Sequence, residues 1–234
     1  MFLSENEIKH KLLQFKEQSL NIRDRIESGK GRIYTTPDGI EYPSVTTVLS
    51  AVSDKSWLEE WRKAVGNEIA DKITKESCDR GTAMHHIIEE YLLKNNTSQY
   101  ANSNGYPLFR SLLIYLRKVK PYSLELPVWS NRLKIAGRVD CIGLYENKLS
   151  VIDFKSSRKE KQADQIEHYF LQCTLYALSL FELLDIECKQ IVILLSSNDG
   201  FPQVFKRETR DYLQTAITTV KHYYATINQC PSIN

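Results

Sequence analysis

Residues 137–157 read GRVDCIGLYENKLSVIDFKSS, two apolar runs that each carry an aspartate, separated by a polar turn and followed closely by a lysine. A two-residue turn at Glu146-Asn147 pairs Tyr145 with Lys148, so partner numbers sum to 293 and Asp140 lies opposite Asp153. Directly opposed strand side chains have Cβ atoms roughly 4.5–5.5 Å apart, and like charges there repel. Side chains alternate along a strand, so Asp153 and Lys155 share one face while Ile152 and Phe154 point into the core. Two carboxylates in a half-buried place require a counter-charge. Lys155 supplies part of it, and a hard divalent cation, Mg²⁺ or Mn²⁺, supplies it better through carboxylate oxygens. The register is the sensitive link. Glu-Asn lacks the glycine favoured in type I′ turns, and a slip of one residue sends the aspartates to opposite faces.

A second candidate lies upstream, in RGTAMHHIIEEYL. On a helical wheel Met84, Ile87, Ile88 and Tyr91 form the buried stripe. At about 100° per residue, His85 sits at the margin of that stripe, where it can reach into a site, and His86 faces water. Glu89, one turn on, either orients His85 or faces solvent. Downstream, Gln172 and Tyr176 stand one helical turn apart on a shared face, placed to fix Lys155 or a phosphate. Glu125, on the preceding strand, is a weaker supporting candidate.

The elements that must position these groups follow from periodicity and punctuation. A charged helix is expected over 4–28, opened by a Ser4–Glu7 capping box, with Ile8, Leu12 and Phe15 as its stripe. A hairpin closed by Pro37-Asp38-Gly39 follows. Residues 45–93 read as helical, with breaks near Asp54 and at 79–81. An Asn/Ser-rich loop over 94–105 and a helix near 107–119 come next. Then come three strands over 123–157, a helix over 162–185, a buried strand QIVILLSS, an edge strand GFPQVFKR, and a last helix over 208–228 with Leu213, Ile217, Val220 and Tyr224 inward. A meander followed by a crossover implies an α/β fold, a mixed sheet with helices packed on it. The chain divides into a helical appendage (1–30), a hairpin and helical region (31–122), a core (123–200) and a closing strand and helix (201–234), within a single domain.

Composition narrows the classes. No apolar run approaches the roughly 18 residues of a membrane span, and the N-terminus reads as neither a signal nor a transit peptide. An intracellular, cytoplasmic protein without a membrane partner is expected. A formal net charge of +2 means that nucleic-acid binding needs a local basic patch. SSRKEK, directly after the lysine strand, offers Ser156, Ser157, Arg158, Lys159 and Lys161 to backbone phosphates, and Arg80 and Arg138 flank the candidate site in sequence. Trp57 and Trp61 are expected to be a core pair, with base stacking beside Arg62 as the alternative. Cys78, Cys141, Cys173, Cys188 and Cys230 contain no C-x-x-C pair, so a zinc ribbon is not expected and the thiols read as reduced and mostly buried.

Taken together, these residues resemble the PD-(D/E)XK nuclease superfamily in its RecB-like branch, and look like the mitochondrial genome maintenance exonuclease type and related phage exonucleases. DGIEYPSVTTVL resembles the branch's N-terminal signature and RGTAMH its G-T-x-x-H helix motif. GRVDCIG with VIDFKSS resembles its metal-binding strands, and QCTLYAL its Q-x-x-x-Y motif. The resemblance implies a restriction-endonuclease-like core and phosphodiester hydrolysis with Mg²⁺ or Mn²⁺. The metal would be held by His85, Asp140, Asp153 and the main-chain carbonyl of Phe154, with Lys155, Gln172 and Tyr176 completing the catalytic set. Lys155 would orient or deprotonate the attacking water, and a neighbouring cation would lower its pKa. The implied substrate is single-stranded DNA with a free end, in replication, repair or recombination. The cysteine set that carries an iron–sulfur cluster in several relatives is incomplete, so no cluster is expected. A monomer is expected, in a bacterial or phage-infected cell. An endonuclease of the same fold, or a binding module with a dead site, is the alternative.

Overall fold

The structure is a computed structural model that describes residues 3–27, 29 and 31–229. Helix α1 (Glu5–Gln18) opens with the expected capping box: the Ser4 N–H donates to Glu7 Oε2 at 2.7 Å, and the Glu7 N–H to Ser4 Oγ at 3.3 Å. It stops ten residues before the expected 28, and the chain continues as strand β1 (Arg23–Glu27). β1 pairs antiparallel with β2 (Gly31–Thr35), and β2 with β3 (Glu41–Pro43), around the Pro37-Asp38-Gly39 turn. The described residues before β2 therefore hold a strand as well as the expected helix. α1 seats Leu12 and Phe15 in the main core, and β1 belongs to a small sheet.

Helices α2 (Val45–Val52), α3 (Ser56–Val65) and α4 (Asn67–Leu92) follow. The break expected at 79–81 is absent. α4 runs through Gly81, and the interruption falls at Gly66, whose φ of +85° ends α3. Gly81 serves close packing instead: a Cβ there would lie 3.2 Å from Ser156 Oγ. After α5 (Tyr106–Leu116) come the long strands β4 (Val119–Ser130), β5 (Ile135–Tyr145) and β6 (Lys148–Ser157). Helix α6 (Glu167–Leu184), strands β7 (Gln190–Ser197) and β8 (Gln203–Glu208), and helix α7 (Leu213–Gln229) complete the order. The sheet runs β4-β5-β6-β7-β8, antiparallel except for the parallel β6–β7 pair that α6 connects. This is the mixed, helix-flanked sheet expected from the sequence, with β8 at the expected edge.

The two faces bury separate cores. α4 and α5 cover one face, through Met84, Ile87, Ile88, Phe109 and Leu112 against Cys141, Ile152 and Phe154. α1, α2, α6 and α7 cover the other, with Leu12, Val48, Phe170, Leu180 and Val220 against Val139, Ile142 and Val151.

The β5–β6 register is the predicted one: Tyr145 pairs with Lys148 and Cys141 with Ile152. Both turn residues take the positive φ of a type I′ turn, Glu146 at +51° and Asn147 at +66°, without a glycine. Ion pairs compensate. Lys118 and Lys206 reach Glu146 at 2.8 and 2.7 Å, and these hydrogen bonds, Lys118 first, pull its carboxyl down to about 2.

Gly105 fixes where α5 crosses the helix that carries His85. A Cβ on Gly105 would lie 2.4 Å from the Met84 backbone nitrogen, contact that only backbone movement relieves. Gly105→Ala is expected to destabilise the fold by about 1–3 kcal/mol, as overpacking generally does, measured by denaturant unfolding. A wild-type midpoint would show that the two helices do not meet as described.

Candidate active site

The site forms where β4 and β5 leave the sheet together. The β4–β5 ladder pairs Leu124 with Cys141 and Leu126 with Val139, and skips the intervening step of Glu125 and Asp140. Leu124 and Cys141 pack under α4 and α5, whereas Leu126 and Val139 pack on the opposite face. In a regular strand, residues two apart share a face. Both strands thus switch faces at the acidic step, and Glu125 carries the irregularity as a left-handed backbone, φ +51°. Beyond Cys141, β5 also parts from β6. The Asp140 carboxylate fills the opening and accepts the Phe154 N–H at 2.9 Å.

Three groups converge at this corner. One ligand atom each from His85, Glu125 and Asp140 lies within 4.8 Å of the others, and His85 Nδ1 is 3.5 Å from Asp140 Oδ2. Burial pushes the Glu125 carboxyl up to about 7, the Asp140 charge adds to the shift, and His85 opposes it. One imidazole and two crowded carboxylates are a hard donor set that suits Mg²⁺ or Mn²⁺. No thiolate joins it, because Cys141 turns into the α4–α5 core. The donors therefore fit a divalent ion.

Asp153 lies behind this cluster, 1% exposed. Lys155 Nζ sits 2.8 Å from its Oδ1 and 2.7 Å from its Oδ2, and Gln172 Nε2 donates to Oδ1 at 3.2 Å. Gln172 Nε2 also donates to the Tyr176 hydroxyl at 3.2 Å. Gln172 and Tyr176 thus share a face as the sequence predicts, and Gln172 reaches Asp153 rather than Lys155. Gly137 makes room for them, since a Cβ there would lie 2.5 Å from Tyr176 Cε1.

Burial pushes the Asp153 carboxyl up to about 6 against the pull of Lys155. For Lys155, burial works downward, but Asp153 and then Asp140 outweigh it and hold the ammonium above the ordinary lysine range. We take the ion pair as the state at neutral pH, since the two groups touch through both carboxylate oxygens. The two carboxylates beside it are the charges that set this direction. Lys155 also stacks its ammonium 5.0 Å from the Tyr169 ring, a contact sequence reasoning missed.

Two clefts meet at the site, and Thr46 and Gln172 line both. One, of about 530 Å³, holds the His85, Glu125 and Asp140 cluster, with Arg138, Glu89 and, from β2, Arg32. The other, of about 850 Å³, runs past Lys155 to Lys161, His168, Tyr169 and Trp57. Trp57 is 66% exposed, and α3 buries no residue, so the expected core tryptophan pair does not exist. Arg62 pairs with Asp71 at 2.6 Å. Among the other predicted phosphate contacts, Ser156 and Ser157 continue β6 half-buried, with Ser157 Oγ donating to the Lys159 carbonyl. Arg158 and Lys159 are exposed and line neither cleft, and Arg158 faces Asp199 at 3.7 Å. Arg80 reaches back to Ser77 at 3.3 Å and likewise lines neither. His86 is exposed, as predicted, and bonds the Tyr100 hydroxyl at 3.0 Å. Cys78 is exposed, Cys141, Cys173 and Cys188 are buried, and Cys230 lies outside the described residues.

Carboxylates and a lysine brought together on neighbouring strands of a mixed sheet are groups that metal-assisted hydrolysis can use. Residues 107–221 match the family profile of the PD-(D/E)XK nuclease superfamily. The chain is 31% identical over 130 residues to mitochondrial genome maintenance exonuclease 1 of Xenopus tropicalis, covering 51% of this chain and 37% of the relative. It is 31% identical over 131 residues to the human protein of that name, covering 51% and 38%. The matched part is thus well under half the length of these relatives. The crystal structure of SSO0001 superposes with a TM-score of 0.45 at 16% identity, over 97% of this chain and 89% of that one.

Glu125 was the acid least legible in advance. Glu125→Gln is expected to weaken Mn²⁺ binding about 10- to 100-fold, as loss of a well-oriented carboxylate near a metal does, while Glu89→Gln has a smaller effect. Calorimetric titration checks this, and equal affinities for Glu125→Gln and wild type would remove Glu125 from the centre.

Proposed function

We propose that this chain is a metal-dependent deoxyribonuclease that hydrolyses phosphodiester bonds as an exonuclease on single-stranded DNA with a free end, in replication, repair or recombination. The observation that carries this reading is the convergence of His85, Glu125 and Asp140 beside the Asp153–Lys155 pair. The superfamily match and the exonuclease relatives support it.

Asp140 and His85 would hold the divalent ion, with Glu125 as an added carboxylate and Asp153 and the Phe154 carbonyl as further donors. When bound, the ion supplies Lewis acidity at a phosphoryl oxygen and a more acidic water. Asp153 orients the Lys155 ammonium toward the reacting phosphate. Lys155 there donates hydrogen bonds and offsets the charge that develops at the phosphoryl oxygens. It also orients or deprotonates the attacking water. Gln172 and Tyr176 keep Asp153 in place. Arg138 and Lys161, one in each cleft, grip flanking phosphates. Trp57 offers a face for a base, which suits an unpaired strand.

Lys155→Ala is expected to keep DNA binding and lose cleavage; cleavage at the wild-type rate would remove Lys155 from the mechanism. End-labelled single and double strands and circular single strands, each with Mg²⁺, Mn²⁺ or chelator, test the activity itself. Metal-dependent loss of linear single strands, with circles spared, is expected. Cutting of circles would establish the endonuclease reading instead. Trp57→Ala is expected to weaken binding to single strands by about 1–3 kcal/mol, the usual worth of one stacked base, read by fluorescence anisotropy. Undiminished binding would place the strand elsewhere.

A further inference from the structure

Of the three convergent groups, Glu125 alone has a left-handed backbone. For a residue with a side chain this conformation costs roughly 1–2 kcal/mol, and it persists only where the surroundings over-determine it. The φ of Glu125 measures the rotation of the peptide that joins it to Leu124. The carbonyl of that peptide accepts a hydrogen bond from Lys16 Nζ at 2.8 Å. Lys16 is half-buried in the last turn of α1.

The rest of α1 is docked independently. Lys120 pairs with Glu5 at 2.6 Å, and Lys9 lies 4.8 Å from the Tyr122 ring. Lys11 Nζ donates to the Leu184 carbonyl at 2.9 Å, and Phe15 stacks on Trp129 with ring centroids 5.4 Å apart. With these contacts intact, loss of the Lys16 ammonium would release one carbonyl at the corner and leave the helix in place. The freed peptide could then turn toward ordinary strand geometry, which swings the Glu125 carboxylate away from Asp140 and His85.

We propose that Lys16 is a positioning residue of the metal centre: by holding the Leu124 carbonyl it locks Glu125 in the conformation that completes the cluster with His85 and Asp140. The N-terminal helix thereby belongs to the site. The proposal rests on the metal-centre reading given above.

The test is Mn²⁺ binding to the DNA-free chain, followed by the electron paramagnetic resonance signal of free Mn²⁺, for wild type, Lys16→Met, Lys16→Arg and Lys11→Met. Lys16→Met is expected to bind about tenfold more weakly, in the range typical of lost outer partners of a metal site. Lys16→Arg, which keeps a cationic donor, should recover most of the affinity. Lys11→Met, which cuts a lysine–carbonyl tether of the same helix far from the corner, should match wild type. A folded Lys16→Met protein with wild-type affinity, or an equal loss in Lys11→Met, overturns the proposal. If Lys16→Met fails to fold by circular dichroism, Lys16→Gln, whose amide is too short for this reach, takes its place under the same two outcomes. Failure of the wild-type chain to bind Mn²⁺ would instead remove the metal-centre reading itself.

Discussion

Carboxylates crowded into a place half removed from water are the constraint that the surrounding structure answers. Glu125, Asp140 and Asp153 come from three adjacent strands, and like charges there repel more strongly than in solvent. Each is met differently. Asp153, the deepest, has the Lys155 ammonium on both oxygens. Asp140 takes a backbone N–H from Phe154 and faces His85. Glu125 has no such partner among the described hydrogen bonds, and burial beside Asp140 raises its pKa to about 7. The residual imbalance lies in the cleft that Glu125, Asp140 and His85 line.

The sheet is shaped around that imbalance. A regular ladder would continue β4–β5 pairing through the acidic step and β5–β6 pairing past Cys141. The β4–β5 ladder skips that step and resumes at Leu126–Val139 with its inward faces reversed to pack over α6, and the β5–β6 ladder ends at Cys141–Ile152. The strain at Glu125 falls within the acidic cluster itself, which fits the tendency of unusual backbone conformations to gather at functional sites. The small N-terminal sheet then leans on the outgoing ribbon, with Ser44 bridging to Ala136 and the Tyr42 hydroxyl donating to Asn131. It closes one wall of the cleft with Arg32 and Tyr34.

Much of this was legible in the sequence because the relevant signals are local. The alternation around Asp153, the two-residue turn and the helical stripe beneath His85 fix register and face within a few residues, and the structure follows them. Gln172 and Tyr176 were readable as a pair for the same reason. Glu125 was only a weak candidate because its place depends on a register shift between Pro121 and Ser123 and on a positive φ that no residue type there announces. The expected end of α1 at residue 28 failed because a charged segment suits an exposed strand as well as a helix, and β1 is mostly exposed. Trp57 was misassigned because the amphipathic pattern of α3 does not say whether its apolar side meets a core or a cleft. Lys155 lies beside Asp153 as strand alternation requires, and its charge depends on three-dimensional proximity to two carboxylates.

The most direct test is to locate the ion itself. Anomalous scattering from crystals of the chain grown with Mn²⁺ should give one strong peak within coordinating distance of His85, Asp140 and Glu125, next to the Asp153–Lys155 pair. A peak bound elsewhere, or none at saturating Mn²⁺ with the three side chains in place, would contradict the account.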